Sequence, residues 1–326
     1  MRGCPVPEER DGAQFLYLTE GEIMLKVLGI GDNVCDVYLH KEIMYPGGQA
    51  LNFTAYAKKL GADADFMGVF GNDAVAEHVK NTLDALGVGR THCRSFEGEN
   101  GFARVTLKEG DRVFMGSNRG GVIQEHPIFL DADDVSYVSG FDLVHTSNNG
   151  FTEDLLPKLK ELPPAVSYDF SFRWNEEERV KKVCPFVDFA FLSCSGLTDE
   201  ETEELCRKLH REGCGIVTAT RGSKGAVVYD GRRIYRQLPH YVEPVDTMGA
   251  GDSFATALLV ALLTDLKRTG GDLPSAGASG KLEEFLPAAL DKAAAFAAET
   301  CLTDGAFGHG IRVPESVRSR VMAEKL

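Results

Sequence analysis

The sequence predicts an α/β protein: a mostly parallel sheet covered by helices on both faces, with a small β-sheet lid. Short apolar runs alternate with helical stretches along nearly the whole chain, the order that builds a parallel sheet from strand–helix–strand units. Segments 33–46 and 101–116 read as short strands and hairpins outside that layering, and they supply the lid. No internal repeat and no long linker divides the 326 residues, so residues 24–326 form one domain.

Leu25 to Gly31 is a short apolar run ending in Gly-Asp-Asn, a buried first strand. Gly47-Gly48-Gln49-Ala50-Leu51-Asn52 leads into a helical pattern from Phe53 to Leu60. Ala64 to Val69 is a strand, and Asp73 to Leu86 a helix closed by Gly87. Phe102 to Leu107 and Arg112 to Met115 alternate about a Glu109-Gly110-Asp111 turn. Strands follow at Leu143–His145, Ala165–Asp169 and Phe189–Leu192, spaced by helical stretches at 152–161 and 175–183. Thr198 to Arg211 is a helix with carboxylates crowded into its first turns, where the helix dipole favours them. Ile216 to Ala219 is a strand, and Ala226–Tyr229 pairs with Arg233–Tyr235 across Asp230-Gly231. The run Ala255 to Leu263 is a buried helix, 268–281 a mobile Gly-, Ser- and Ala-rich loop, and 286–301 a second Ala-rich helix before Gly305-Ala306.

The 43% hydrophobic and 26% charged shares are ordinary for a soluble globular chain. With 35 Lys and Arg against 49 Asp and Glu, the formal charge of −14 excludes broad nucleic-acid or anionic-membrane binding. Any polyphosphate must be held by local amides and a metal rather than by a basic field. The 8 cysteines are scattered with no Cys-x-x-Cys pair, which reads as reduced thiols in a cytoplasmic protein and gives no zinc spacing. No apolar run reaches the ~18 residues of a membrane span. The polar, acidic residues 1–23 read as a disordered or appended extension, with Met24 a candidate start.

In open α/β sheets, ligands bind where strands end and helices begin, and four such junctions carry unusual residues. Asp32, Asn33 and Asp36 follow the first strand; Asp32 and Asn33 suit a turn cap as well as a ligand, whereas Asp36 stands between Cys35 and Val37 in an apolar segment. Gly47-Gly48 with Asn52 allows close backbone approach plus an amide that both donates and accepts, which suits a polyol; a plain turn before a helix is the other reading. Thr220-Arg221-Gly222-Ser223-Lys224-Gly225 has two glycines three apart with a hydroxyl between, a cradle for nucleotide phosphates or simply a turn. The fourth is Asp246-Thr247-Met248-Gly249-Ala250-Gly251-Asp252-Ser253-Phe254 at the start of a long apolar helix. A helix start offers unpaired N–H groups and partial positive charge to an anion, and glycine lets the anion approach. Asp252 is out of place there as a phosphate ligand and in place as a base, unless it only caps the helix.

Taken in this order, the stretches resemble the ribokinase-like (PfkB) sugar kinases from about residue 25 to about residue 313. Within that family, Gly29-Ile30-Gly31-Asp32-Asn33-x-x-Asp36, Asp111-Arg112-Val113-Phe114 and Tyr168-Asp169-Phe170-Ser171 with Trp174 look most like fructoselysine 6-kinases. The resemblance implies a three-layer α/β/α core and transfer of the ATP γ-phosphoryl group, with Mg²⁺, to a sugar hydroxyl. The substrate it implies is a fructosamine such as fructoselysine, phosphorylated at the 6-position. Fructokinase, ribokinase or a non-catalytic sugar- or nucleotide-binding protein are the alternatives.

By the same resemblance, Asp252 is the general base, and the amides of Gly249, Ala250, Gly251 and Asp252 form the anion hole. Asp36, Gly47, Gly48 and Asn52 fall at sugar-binding positions, and Gln49 takes the place of a ribokinase lysine. For a fructosamine, Asp32 would meet the substrate amine and Arg104 or Arg119 on the lid a carboxylate, with a solvated surface charge the equal alternative for each. Thr220, Gly222, Ser223 and Gly225 match the nucleotide loop, joined by Ser193. Asp246 matches a monovalent-cation site that often holds K⁺, with Gly305-Ala306 nearby, and the lid hairpins suit a homodimer. Two departures stand out. Ser193-Cys194-Ser195-Gly196 replaces the usual Asn-x-x-Glu, leaving Mg²⁺ to water, phosphate oxygens and other carboxylates, and 268–281 is long enough to cover an adenine.

Overall fold

The computed structural model describes residues 24–108, 111–273 and 280–323. The extension at 1–23, the hairpin tip at 109–110 and residues 274–279 of the 268–281 loop lie outside these residues. In chain order the strands are β1 (Lys26–Gly31), β2 (Val34–Tyr38), β3 (Ile43–Gly47), β4 (Asp63–Phe70), β5 (Arg94–Ser95), β6 (Gly101–Lys108) and β7 (Asp111–Ser117). They continue as β8 (Leu143–Ser147), β9 (Ala165–Ser171), β10 (Phe189–Ser193), β11 (Ile216–Thr220), β12 (Ala226–Tyr229), β13 (Ile234–Gln237) and β14 (Ile311–Arg312). The α-helices are α1 (Gln49–Lys59), α2 (Ala74–Leu86), α3 (Ala132–Val138), α4 (Leu156–Lys160), α5 (Glu177–Val183), α6 (Asp199–Arg211), α7 (Ala250–Arg268), α8 (Lys281–Thr300) and α9 (Glu315–Val321).

The main sheet has nine strands in the order β13-β12-β11-β10-β9-β8-β1-β4-β5. It is parallel from β11 to β5 and antiparallel only at β12 and β13. Alternate strand residues feed two apolar layers. Val27, Leu143, Phe189, Phe191 and Val228 pack against α1, α7 and α8; Leu28, Ile30, Val144, Val166 and Val217 pack against α4, α5 and α6. This is the expected three-layer core. Helix α7 is buried along most of its length, with Leu258, Leu259, Leu262 and Leu266 all inside, which is why its sequence is apolar almost all round.

The lid is a five-stranded sheet ordered β14-β3-β2-β6-β7. Its back is covered by α2 and α9, whose Val75, Val79, Val317 and Val321 pack on Cys35, Val37, Met44 and Phe102. Its front carries Asp36 and Tyr38, paired with Tyr45 and Ile43 across β3. The hairpin expected at 101–116 is β6–β7, and 33–46 forms β2 and β3. Two helix starts differ from expectation. Helix α1 begins at Gln49, before Phe53, and α8 at Lys281 with Pro287 inside it, before 286. The stretch 152–161 is helical only over α4.

Candidate active site

The centre is the turn into α7. Gly249 holds φ 73° in the left-handed region, and a Cβ there would collide with the Tyr56 hydroxyl and lie 2.8 Å from the Ala306 Cβ. Only glycine makes this turn. The turn is short, with Ala250 N–H reaching Thr247 O at 3.3 Å and Ser253 N–H reaching Gly249 O at 2.8 Å. The first N–H groups of α7, on Ala250, Gly251 and Asp252, have no carbonyl one turn back within the helix, so they form the positive end of its dipole. A Cβ on Gly251 would meet nothing within 4 Å, so open space fronts these amides.

Asp252 stands at this helix start, and Asn52 Nδ2 of α1 donates to its Oδ2 at 2.6 Å. Burial, then the neighbouring Asp169 and the further carboxylates Asp32 and Asp36, push the Asp252 carboxyl up to about 8, against the pull of the Asn52 hydrogen bond. A base with this affinity for protons at a helix N-terminus suits proton abstraction near neutral pH. Asn52 itself is 4% exposed, and its Oδ1 has no partner. Gly47 leaves room for the group beside it, since a Cβ there would come 2.5 Å from Asp36 Oδ2 and 4.0 Å from Asn52 Oδ1. Asp36, Gly47, Asn52 and Asp252 thus meet at one place, as the sequence suggested.

Asp32 takes the capping role. Its oxygens accept from Gln49 N–H (3.0 Å), Ala50 N–H (3.2 Å) and the Ser147 hydroxyl (3.2 Å). Gly48, the N-cap of α1 at φ 110°, has no side chain to cap the helix, and Asp32 does so across the loop. Gly48 must be glycine because a Cβ would lie 2.8 Å from Asp32 O. Gln49 accepts from Asn149 Nδ2 at 3.0 Å and joins α1 to the end of β8.

Arg104 requires a correction. In β6 it pairs with Val37 of β2, whereas Asp36 pairs with Ala103. Paired residues share a face and successive residues alternate, so Arg104 is on the back of the lid with Val37 and Phe102, opposite Asp36. It is 1% exposed and its three guanidinium nitrogens have no partner among the described residues, so it does not join the sugar-facing group. Arg119, in the turn after β7, has φ 55° and an exposed side chain.

A cavity of about 280 Å³ opens beside the α7 turn. Thr220, Gly222, Ser223 and Gly225 line it together with Thr247, Ala250 and Gly251, so the two phosphate-type loops share one groove. Its far walls are apolar, from Leu238, Tyr241, Val242, Phe254 and Ala297, and fit a flat heterocycle. Ser193, at the end of β10, pairs with Thr220 in the sheet, and its carbonyl accepts from Trp174 Nε1 at 2.9 Å. The stretch 237–244 was missed by sequence reading because it has no periodicity. Asp169, within the Tyr168–Ser171 stretch, lies two residues before the end of β9, opposite Ser147, and is 7% exposed. Burial, then the charge of Asp32, against hydrogen bonds from Ser171 N–H and Gln49, leave its carboxyl raised to about 6.

Asp246 accepts from the Tyr38 hydroxyl, from Met248 N–H at 3.0 Å and from Gly305 N–H at 2.9 Å. This places Gly305 beside it as expected and ties the lid to the α7 turn. Among the described residues no three His, Cys, Asp or Glu side chains gather as a metal cluster, so a Mg²⁺ here would be held chiefly by the nucleotide and water. Among those residues no helix is long and apolar enough to cross a membrane.

The comparisons agree with this geometry. The chain is 40% identical over 287 residues to the fructosamine kinase FrlD of Bacillus subtilis, covering 88% of this chain and 94% of that one. It is 32% identical over 252 residues to the fructoselysine 6-kinase of Escherichia coli, covering 77% and 92%. Among solved structures, the Arabidopsis thaliana ribokinase complexed with ribose and ATP superposes with TM-score 0.69 at 21% identity, covering 88% of this chain and 95% of that one. The Xylella fastidiosa fructokinase with bound ATP gives 0.72 at 19% identity, covering 87% and 94%. Residues 21–307 match the pfkB family carbohydrate kinase, and the chain belongs to that family.

Proposed function

We propose that this sugar kinase acts on fructosamines, using ATP and Mg²⁺ to phosphorylate the sugar 6-hydroxyl. The observation that carries the reading is the Asn52–Asp252 hydrogen bond at the open N-terminus of α7, which puts a base beside an anion site. The similarity to a fructosamine kinase supports the substrate class. A sugar seated against Asp36 and Asn52 gives its hydroxyl proton to Asp252 as its oxygen attacks the γ-phosphorus. The bond from that phosphorus to the bridging oxygen breaks and ADP leaves. Charge on the transferring group falls on the amides of Ala250, Gly251 and Asp252, and the groove from Thr220 to Gly225 holds the rest of the nucleotide. Mg²⁺, carried on the nucleotide, screens phosphate charge.

ADP release measured side by side on fructoselysine, fructose and ribose tests this. A preference for fructoselysine is expected; a clear preference for free ribose overturns the substrate assignment. We also read Asp246 as a cation site and the lid as a dimer surface. Turnover in K⁺ against a bulky organic cation checks the first. Sedimentation of a variant with polar residues at the exposed Phe114 and Met115 of β7 checks the second.

A further inference from the structure

The sugar end of the cleft is negatively charged. The charges acting on Asp252 are those of Asp169, Asp32 and Asp36, all carboxylates, and Tyr56 and Asn52 of α1 are the other polar groups against it. Asp32 is committed to the α1 N-terminus and Asp252 to Asn52. Asp169 is different. Its partner across the sheet, Ser147, reaches Asp32 at 3.2 Å, which turns Asp169 toward the same end of the cleft, and Asn148 N–H holds its carbonyl at 2.9 Å. Ser171, at φ 50°, folds back to donate to Asp169 Oδ1 at 2.6 Å, which fixes the carboxylate at the strand end. Asn52 Oδ1, buried and without a partner, is a second acceptor in the same place waiting for a donor. A ligand that brings N–H or O–H donors and a positive charge answers both features.

We propose that Asp169 is the specificity-determining residue of this site: it receives the positively charged nitrogen of a sugar–amine conjugate, so that the cleft selects cationic sugars over neutral ones. This rests on the fructosamine reading and names the residue that carries it. It has a consequence for the base. An empty cleft holds the proton on Asp252 at neutral pH, and a bound cation favours its loss. A cationic substrate thereby turns on the base that acts on it, while a neutral sugar meets a protonated Asp252. Gln49, a neutral amide between Asp169 and Asn149, leaves this charge uncompensated until substrate arrives.

The test compares fructoselysine with fructose in steady-state kinetics for the wild type, Asp169→Asn, Asp169→Glu and Gln49→Lys. Asp169→Asn keeps the acceptor oxygen for Ser171 N–H and loses the charge together with the acceptor that faces Gln49. It is expected to lower kcat/KM for fructoselysine on the order of 100-fold, mainly through KM, and to change fructose by less than about threefold. It should also move the acid limb of the fructose pH profile downward, a shift that a merely structural role would not give. Asp169→Glu should restore most of the fructoselysine activity, and Gln49→Lys should tilt the preference toward fructose. Equal losses on both sugars for Asp169→Asn, with an unmoved pH profile, overturn the inference. A wild type that prefers fructoselysine while Asp169→Asn keeps that preference sinks the inference alone. A wild type without preference for the cationic sugar sinks the substrate reading beneath it.

Discussion

Asn52 and Asp252 are two hundred residues apart, yet the 2.6 Å hydrogen bond between them fixes the proposed base against α1. Asp252→Asn leaves that bond possible through the amide oxygen and removes only the ability to take a proton. Turnover should fall by about 10³ while the sugar KM moves little, as rapid-quench and steady-state assays would read. An active Asp252→Asn enzyme would remove Asp252 from the mechanism.

The raised carboxyl of Asp252 gives a pH dependence of definite sign. In free enzyme the base is protonated below about 8, so kcat/KM should rise with pH and level off above that value. Stability runs the other way. A folded-state value above the unfolded one makes a contribution that is full below about 4 and lost as pH rises through about 8. Asp252→Asn should therefore melt higher than wild type at pH 8, by about 2 kcal/mol in unfolding free energy, with the difference vanishing near pH 4.

Gly249 and Gly251, two residues apart, should behave differently. Gly249→Ala forces a Cβ into Tyr56 and Ala306 at a left-handed φ, and should cost about 2–4 kcal/mol by thermal or denaturant unfolding. Gly251→Ala meets nothing in the protein and should fold normally. Its methyl group instead projects into the space before the amides, and nucleotide turnover should drop at least about tenfold.

Arg104 carries a buried charge with no partner among the described residues, an arrangement that costs folding free energy. Arg104→Leu should stabilise the chain by about 1–3 kcal/mol and leave sugar KM unchanged, since the side chain is behind the lid. A large rise in KM for the sugar would return Arg104 to the substrate side.

Much of this site was legible because its signals are local. The two glycines and the carboxylate of Gly249–Asp252 stand next to an apolar run, and α7 begins at Ala250 as that pattern implies. Thr220 to Gly225 follows a strand that can be read from its own residues. What escaped reading depends on pairing between distant segments. Asp32 caps a helix that starts 17 residues later, so neither its role nor the true start of α1 is written near either one. The face Arg104 occupies is set by its register with Val37, which a single strand does not reveal. The apolar wall from Leu238 to Val242 is an irregular segment whose meaning comes only from the groove it closes. The second Ala-rich helix was expected from 286, yet α8 begins at Lys281 and passes through Pro287, with Leu282 and Leu286 anchored in the core.

Gly249 rests on Ala306, and Tyr56 donates to the Ala306 carbonyl, so the turn into α7 leans on the segment around residue 306. Removing the segment around residue 306 would therefore loosen the turn into α7 while leaving the strands of the main sheet paired.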